Sequence, residues 1–110
     1  GVVEQWQIYE RAKQLGQNPV VVDSADILAN PEDSLRGLCE SLDIEFKVAM
    51  LHWPAGPKPY DGIWAPHWYH SVWKSEGFGK APGALPEVPT ELQPLLEQAM
   101  PYYQRLRAFC

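Results

Sequence analysis

The amino-acid sequence predicts an α/β fragment that is predominantly helical and holds one or two buried strands. Two segments, residues 3–15 and 31–43, repeat apolar side chains at the spacing of an amphipathic helix. Between them, Val20–Val22 is an uninterrupted β-branched run, which is typical of a strand buried on both faces. Helix, buried strand and helix in this order are characteristic of an α/β layer.

The first part of the chain, residues 1–51, is predicted as helix, strand, helix and strand. Its second helix has clear start signals, with Asn30 as N-cap and Pro31 at the first helical position. A single apolar strand cannot form a sheet by itself. Its neighbours come from an upstream segment of a longer chain, from a second copy, or from residues 46–51.

The second part, residues 52–80, is predicted as an aromatic loop followed by a helix over residues 66–75. Residues 54–63 hold three prolines and two glycines, which is typical of an irregular loop. On a helical projection, one half of the cylinder carries Trp64, Ala65, Trp68, Tyr69, Val72 and Trp73. The other half carries His67, His70, Ser71 and Lys74.

The third part, residues 81–110, is predicted as a Pro-rich arm and a C-terminal helix. Residues 79–89 show no periodicity, and Thr90 begins a capping box. Pro101 is expected to kink the helix that follows.

Composition excludes several classes of function. The chain of 110 residues has the size of one domain. It begins without Met, and its first residues resemble the middle of a domain, so we expect a piece of a longer protein or a chain from which a tag was removed. No apolar run approaches the roughly 18 residues of a membrane span, so no membrane partner is expected. A net charge of −5 without basic runs argues against nucleic acid as a partner. Two cysteines make no disulfide framework, which predicts a reduced, cytoplasmic protein.

The segment from Met50 to Phe78 is the predicted site. It holds four of the five tryptophans and all three histidines. Large rings with polar N–H or O–H groups at such density indicate a pocket wall or a docking surface. The candidate substrate or partner surface comprises Trp53, Trp64, His67, Trp68, His70, Trp73 and Lys74.

The polar helix face suits a small anion, because Lys74 is permanently charged and histidine titrates near neutral pH. A solvated helix face is the alternative. His67 and His70 have the spacing of a zinc-binding pair, but a third ligand is missing, so no metal site is predicted. Asp23 and Asp26 follow the predicted strand, where they form either a site or an ordinary helix-entry turn.

Two runs of sequence carry a family resemblance. The first is PVVVDSADILANPEDSLRGLCESLDIEF, and the second is MLHWPAGPKPYDGIWAPHWYHSVWKSEGF. Together they resemble the sulfotransferase-like P-loop family, and the likeness covers nearly the whole chain. It implies the C-terminal half of a P-loop fold that uses the sulfuryl donor 3'-phosphoadenosine 5'-phosphosulfate.

The resemblance also implies what this chain lacks. The family's phosphosulfate-binding loop and usual catalytic base lie in the N-terminal half, and neither motif has a match here. No cofactor is therefore expected for this chain alone, and its catalytic residues are unknown. A Gly-containing loop near the family's C-terminal end closes over the donor's phosphates, and Ser75, Gly77, Phe78, Gly79 and Lys80 occupy a comparable place.

Three hypotheses follow. In the first, the chain is the C-terminal portion of a sulfotransferase-like protein and is inactive alone. Its partner is its own N-terminal half or a second copy (a homo-oligomer), and its acceptor is a small molecule. The second is a non-catalytic helical binding or interaction module that uses the aromatic surface of residues 52–78. The third is an accidental fragment without activity.

Overall fold

A computed structural model describes residues 1–81 and 83–110; Pro82, in the predicted Pro-rich arm, lies outside the described residues. The described part is predominantly helical, as predicted. Its α-helices are α1 (Val2–Gln14), α2 (Ser24–Ala29), α3 (Pro31–Ser41), α4 (Ala65–Trp68), α5 (His70–Trp73) and α6 (Gln93–Arg107). Short 3-10 turns lie at Val48–Met50 and Thr90–Leu92.

The chain divides into two compact units. Residues 1–26 and 83–110 form the terminal unit, and residues 27–81 form the central unit. The two ends of the sequence therefore build one unit, and the aromatic segment belongs wholly to the other.

The terminal unit is built on the packing of α1 against α6. Three rings lie between them: Trp6 stacks on Tyr9 with ring centroids 5.6 Å apart, and Tyr9 lies 4.8 Å from Phe109. The Arg105 guanidinium covers the Trp6 ring at 5.6 Å. Aromatic contacts of this kind, with a cation above the ring face, join the start of the chain to its end.

Asp23 and Asp26 form a helix-entry turn that is tied to α6. Asp23 Oδ1 accepts the Ala25 N–H at 2.8 Å, and Asp23 Oδ2 accepts the Tyr103 O–H at 2.7 Å. The Arg107 guanidinium binds Asp26 with contacts of 2.7 and 2.9 Å. The Tyr103 phenol, and then the Ala25 N–H, lower the pKa of the Asp23 carboxyl. These acids therefore fix the turn onto the helix.

The prediction of one or two buried strands is wrong for this structure. Residues 1–81 and 83–110 contain no β-strand. Their strand-like pairing is an isolated antiparallel bridge between His52 and Gly77. Val20–Val22 lies in neither a helix nor a strand, and Val20 is 37% and Val22 is 48% exposed. Residues 46–51 contain the 3-10 turn and supply no neighbour. A β-branched run favours extended backbone, but a strand requires a second segment to complete the ladder.

In the central unit, α3 agrees with the predicted helix over residues 31–43. Arg36 forms an ion pair with Glu32 at 2.7 Å, one helical turn away, and its guanidinium lies 4.1 Å from the centre of the Phe46 ring. On the apolar side, the buried Cys39 thiol lies 3.8 Å from the Met50 sulfur. This small core supports the start of the aromatic segment.

Candidate functional site

The aromatic segment is a closed loop whose ends are paired. His52 and Gly77 form the antiparallel bridge, and the Trp53 N–H donates to the Glu76 carbonyl at 3.1 Å. Backbone pairing at the neck of a loop limits the conformations that the loop can adopt. The intervening rings are therefore presented on a fixed support.

One indole group holds the predicted donor-contact residues in place. Trp53 Nε1–H donates to Ser75 Oγ at 2.9 Å, and the Ser75 hydroxyl donates to the Val72 carbonyl at 2.7 Å. The Trp53 ring also meets Phe78 edge to face, with centroids 5.5 Å apart. Trp53, Ser75 and Phe78 are all half-buried, so their polar groups and rings serve the loop itself.

A second indole group organises the Pro/Gly-rich stretch. Asp61 Oδ2 accepts the Lys58 N–H and the Trp73 indole N–H, each at 2.8 Å. These two donors, the Lys58 N–H first, lower the pKa of the Asp61 carboxyl. The Lys58 ammonium turns back to donate to the carbonyls of Pro54 and Gly56. Sequence reasoning missed this network, although a Lys and an Asp inside a Pro/Gly-rich loop were a visible signal.

The predicted helix over residues 66–75 is interrupted at Tyr69, where α4 ends before α5 begins. Side chains four apart still form rows, because the Tyr69 N–H donates to the Ala65 carbonyl and the Trp73 N–H to the Tyr69 carbonyl, each at 2.8 Å. The inward row, from fully buried to half-buried, consists of Ala65, Tyr69 and Trp73.

The outward row is the exposed ridge, which comprises Trp64, Trp68 and Val72. Its members are 59%, 76% and 52% exposed, respectively. The helical projection assigned both rows to a single ring-lined half. Packing separates the two rows, because the inward row faces the loop and the exposed ridge faces solvent.

The predicted polar face is also exposed. His67, His70 and Lys74 are all solvent-accessible, and the His70 ring lies 6.1 Å from the Trp73 ring. No ion pair joins Lys74 or Lys80 to a carboxylate of the described chain. These cations are therefore available to an anion. Among the described residues, no three His, Cys, Asp or Glu side chains group as metal ligands.

The two glycines of the predicted donor loop have different surroundings. A Cβ at Gly77 would lie 3.0 Å from the Leu51 carbonyl oxygen and 3.3 Å from the His52 ring, whereas a Cβ at Gly79 would meet nothing within 4 Å. Gly77 therefore allows its backbone to approach the Leu51 backbone closely, which a side chain at this position would hinder. Gly79 and Lys80 are the exposed members of the predicted set.

The described residues do not fit the whole sulfuryl donor. Its phosphate groups require several backbone N–H groups converging around a Gly-rich turn, and the space beside Gly77 is taken by Leu51. Gly79 and the cations of Lys74 and Lys80 suit a cover over an anionic group that is held elsewhere. The described residues alone therefore do not make up a complete donor site.

A small cavity lies beside this loop and was not foreseen from the sequence. It has a volume of about 260 Å³. Its walls are Asn30, Pro31, Glu32, Leu51, His52 and Phe78.

The comparison with family models identifies one family. The family model described as a sulfotransferase domain matches residues 2–110. Two proteins from Arabidopsis thaliana, branched-chain-amino-acid aminotransferase-like proteins 1 and 2, are 44% and 43% identical over 98% and 97% of this chain. The chain spans only 20% and 19% of their lengths.

No solved structure matches the chain. In the part of the chain that the structure describes, no helix has the length and apolar character needed to cross a bilayer.

Proposed function

The chain belongs to the sulfotransferase domain family, and on that premise we propose that it forms the acceptor-side part of a sulfuryl-transfer site. In this proposal, another stretch of polypeptide supplies the loop that binds 3'-phosphoadenosine 5'-phosphosulfate. The chain is inactive alone and works in the cytoplasm, where its two free cysteines stay reduced. The relatives' names imply no aminotransferase activity for this chain, because the matched stretch is a fifth of those proteins.

The observation that carries the proposal is the exposed ridge on a fixed loop. Trp64 and Trp68 expose large apolar surfaces, whereas Trp53 and Trp73 use their indole N–H groups to hold the loop. A pocket wall needs apolar surface that is exposed before binding and does not collapse. The ridge meets both requirements and suits an apolar acceptor molecule.

The cationic side chains near the ridge can stabilise the negative charge of the groups involved in sulfuryl transfer. Sulfuryl transfer depends on positioning and on stabilising negative charge, as phosphoryl transfer does. His67 lies on α4 and His70 on α5, Lys74 directly follows α5, and Lys80 follows three residues after Gly77. We assign Lys74 and Lys80 to the donor's anionic groups. In this proposal Ser75, Gly77 and Phe78 maintain the loop's shape.

The donor-cover role is tested by calorimetry of the chain with adenosine 3',5'-bisphosphate. We expect weak binding in the millimolar range that Lys80→Ala reduces several-fold. Lys13→Ala is the control, because Lys13 is an exposed cation of α1 bound to Asn18. Absence of binding heat for the unmodified chain, or equal losses for both variants, would contradict the cover role.

The acceptor-wall role is tested with 8-anilinonaphthalene-1-sulfonate, an apolar probe that carries one sulfonate group. Trp68→Ser is expected to lower the probe's fluorescence enhancement. Leu85→Ser, at an 80% exposed position outside the helices, is the control and should leave it unchanged. Equal enhancement in both variants would show that the ridge does not bind the probe.

A non-catalytic binding module is the second candidate, favoured by the same ridge together with the lack of a Gly-rich phosphate loop in the sequence. Such a module would hold an apolar partner and have no use for a donor. Probe binding that depends on Trp68, without any bisphosphate heat, would favour this module and contradict the donor-cover role.

A further inference from the structure

We propose that Gly62 is a positioning residue that sets the place of the Trp64 indole and, through it, the size of the apolar group that the exposed ridge accepts. This rests on the proposed function, in which the ridge is a wall of the acceptor site. It adds what fixes the first ring of that wall, and the selectivity that follows.

The first argument is the closeness of the ring to the Gly62 backbone. A Cβ at Gly62 would lie 2.9 Å from Trp64 Cε2, 3.0 Å from Nε1 and 3.2 Å from Cζ2. Carbon atoms that are not bonded to each other pack at about 3.5–4.0 Å. The indole therefore occupies the space that a side chain at residue 62 would need, and even the methyl group of alanine would collide with it.

The second argument is that the backbone conformation does not explain this glycine. Gly16 and Gly56 have positive φ angles, in the left-handed region that favours glycine, whereas Gly62 does not. A residue with a Cβ could therefore adopt the backbone angle found at Gly62. What the missing side chain provides at this position is room for the Trp64 ring.

The third argument is that the backbone around Gly62 is held. The Gly62 carbonyl accepts the Ala65 N–H at 2.9 Å, and Ala65 is 1% exposed. On the other side, the Asp61 carboxylate accepts the Lys58 N–H and the Trp73 indole N–H, each at 2.8 Å. Moving Gly62 away from the ring would disturb these hydrogen bonds.

The fourth argument is that the Trp64 ring can move. Trp64 is 59% exposed, and its indole forms no hydrogen bond or ring pair with any residue in 1–81 or 83–110. The indoles of Trp53 and Trp73, by contrast, are each tied by an N–H hydrogen bond. A side chain at residue 62 would therefore displace the Trp64 ring and leave the loop in place.

The displacement determines which ligands fit. A ring moved away from Gly62 lies further toward solvent, in the space that the apolar group of an acceptor would occupy. With glycine at residue 62, the ridge therefore takes a larger apolar group than it would with any side chain there. An open ridge encloses its ligand on one side only, so the effect should be smaller than the roughly 10–200-fold that one methylene group is worth in a closed pocket.

The position of the ring is measured by fluorine NMR of the chain labelled with 5-fluorotryptophan, in which Trp64→Phe identifies the Trp64 signal. Gly62→Ala is expected to shift this signal and to leave those of Trp53 and Trp73 in place. Gly79→Ala is the matched control, because its methyl group meets nothing within 4 Å, and it should shift none of them. An unchanged Trp64 signal in Gly62→Ala would overturn the proposal.

The selectivity is measured with two probes that carry the same sulfonate group, 8-anilinonaphthalene-1-sulfonate and the smaller naphthalene-1-sulfonate. Gly62→Ala should weaken binding of the larger probe several-fold more than binding of the smaller one. In a Trp64→Ala background, Gly62→Ala should have no such effect, because its methyl group has no ring to displace. Equal effects on both probes, or an effect that persists without Trp64, would overturn the proposal.

The failure of this proposal is distinguishable from the failure of the acceptor-wall role. Trp68→Ser tests whether the ridge binds the probe at all, whereas the Trp64 signal and the ratio of the two probe affinities test Gly62. A shifted Trp64 signal with an unchanged ratio would overturn the proposed selectivity, even if Trp68→Ser still supported the acceptor wall.

Discussion

Gly77→Ala is expected to destabilise the aromatic loop by an amount that the local geometry sets. The new methyl carbon would lie 3.0 Å from the Leu51 carbonyl oxygen and 3.3 Å from His52 Nδ1. The oxygen belongs to the backbone, so relief requires a shift at the His52–Gly77 bridge. Overpacking of this kind costs about 1–3 kcal/mol. Lower entropy of the unfolded chain offsets roughly 0.4–1 kcal/mol of it. The central values of the two ranges leave a net loss of about 1.3 kcal/mol.

Urea unfolding followed by tryptophan fluorescence measures this loss, because four of the five tryptophans lie between residues 53 and 73. With a urea dependence of about 1–2 kcal/mol per molar for a small unit, the midpoint should fall by about 1 M. Gly79→Ala is the matched control, since its new methyl group meets nothing within 4 Å. It should leave the midpoint unchanged or raise it slightly. Equal midpoints for the two variants would refute the argument from close approach.

Two further predictions concern single hydrogen bonds. Tyr103→Phe removes the phenol that lowers the pKa of Asp23, and Asp23 in turn raises the pKa of Tyr103. That bond's stabilisation is therefore present from about pH 5 to 9. It is lost as the pH falls through the lowered carboxyl pKa or rises through the raised phenol pKa. Urea midpoints of wild type and Tyr103→Phe should thus differ near neutral pH and converge at both extremes; a constant difference would contradict the bond's role. Trp73→Phe removes the indole donor to Asp61 and should lower the midpoint. Trp68→Phe, at a 76% exposed position, should stay within about 0.5 kcal/mol of wild type, and equal effects would refute the assignment of inward and outward rows.

The sequence was sufficient for elements whose signals are local. The second predicted helix, residues 31–43, is confirmed as Pro31–Ser41 because Asn30, Pro31 and the apolar spacing act within a few residues. Val20–Val22 illustrates the limit. Three β-branched residues favour a strand, but a strand depends on a partner segment that local sequence does not contain.

The site shows the same limit. The rings and cations of residues 52–80 were visible as a candidate surface, but their division was not. Trp64 and Trp73 fall in one half of a helical projection, yet one is exposed and the other donates to Asp61. That difference depends on Asp61 and Lys58, which lie outside the helix. Periodicity alone therefore could not separate ring surface that faces solvent from ring surface that supports the loop.

The division of the chain has a consequence for its synthesis. Every residue of the central unit has been made once residue 81 is added, so that unit can fold while the ribosome is still working. The terminal unit must wait, because α1 needs α6 and the turn at Asp23 needs Tyr103, which is added 80 residues later. Until then, α1 and the three valines are exposed on the nascent chain. That interval is when the segment is most open to chaperones and to wrong strand partners.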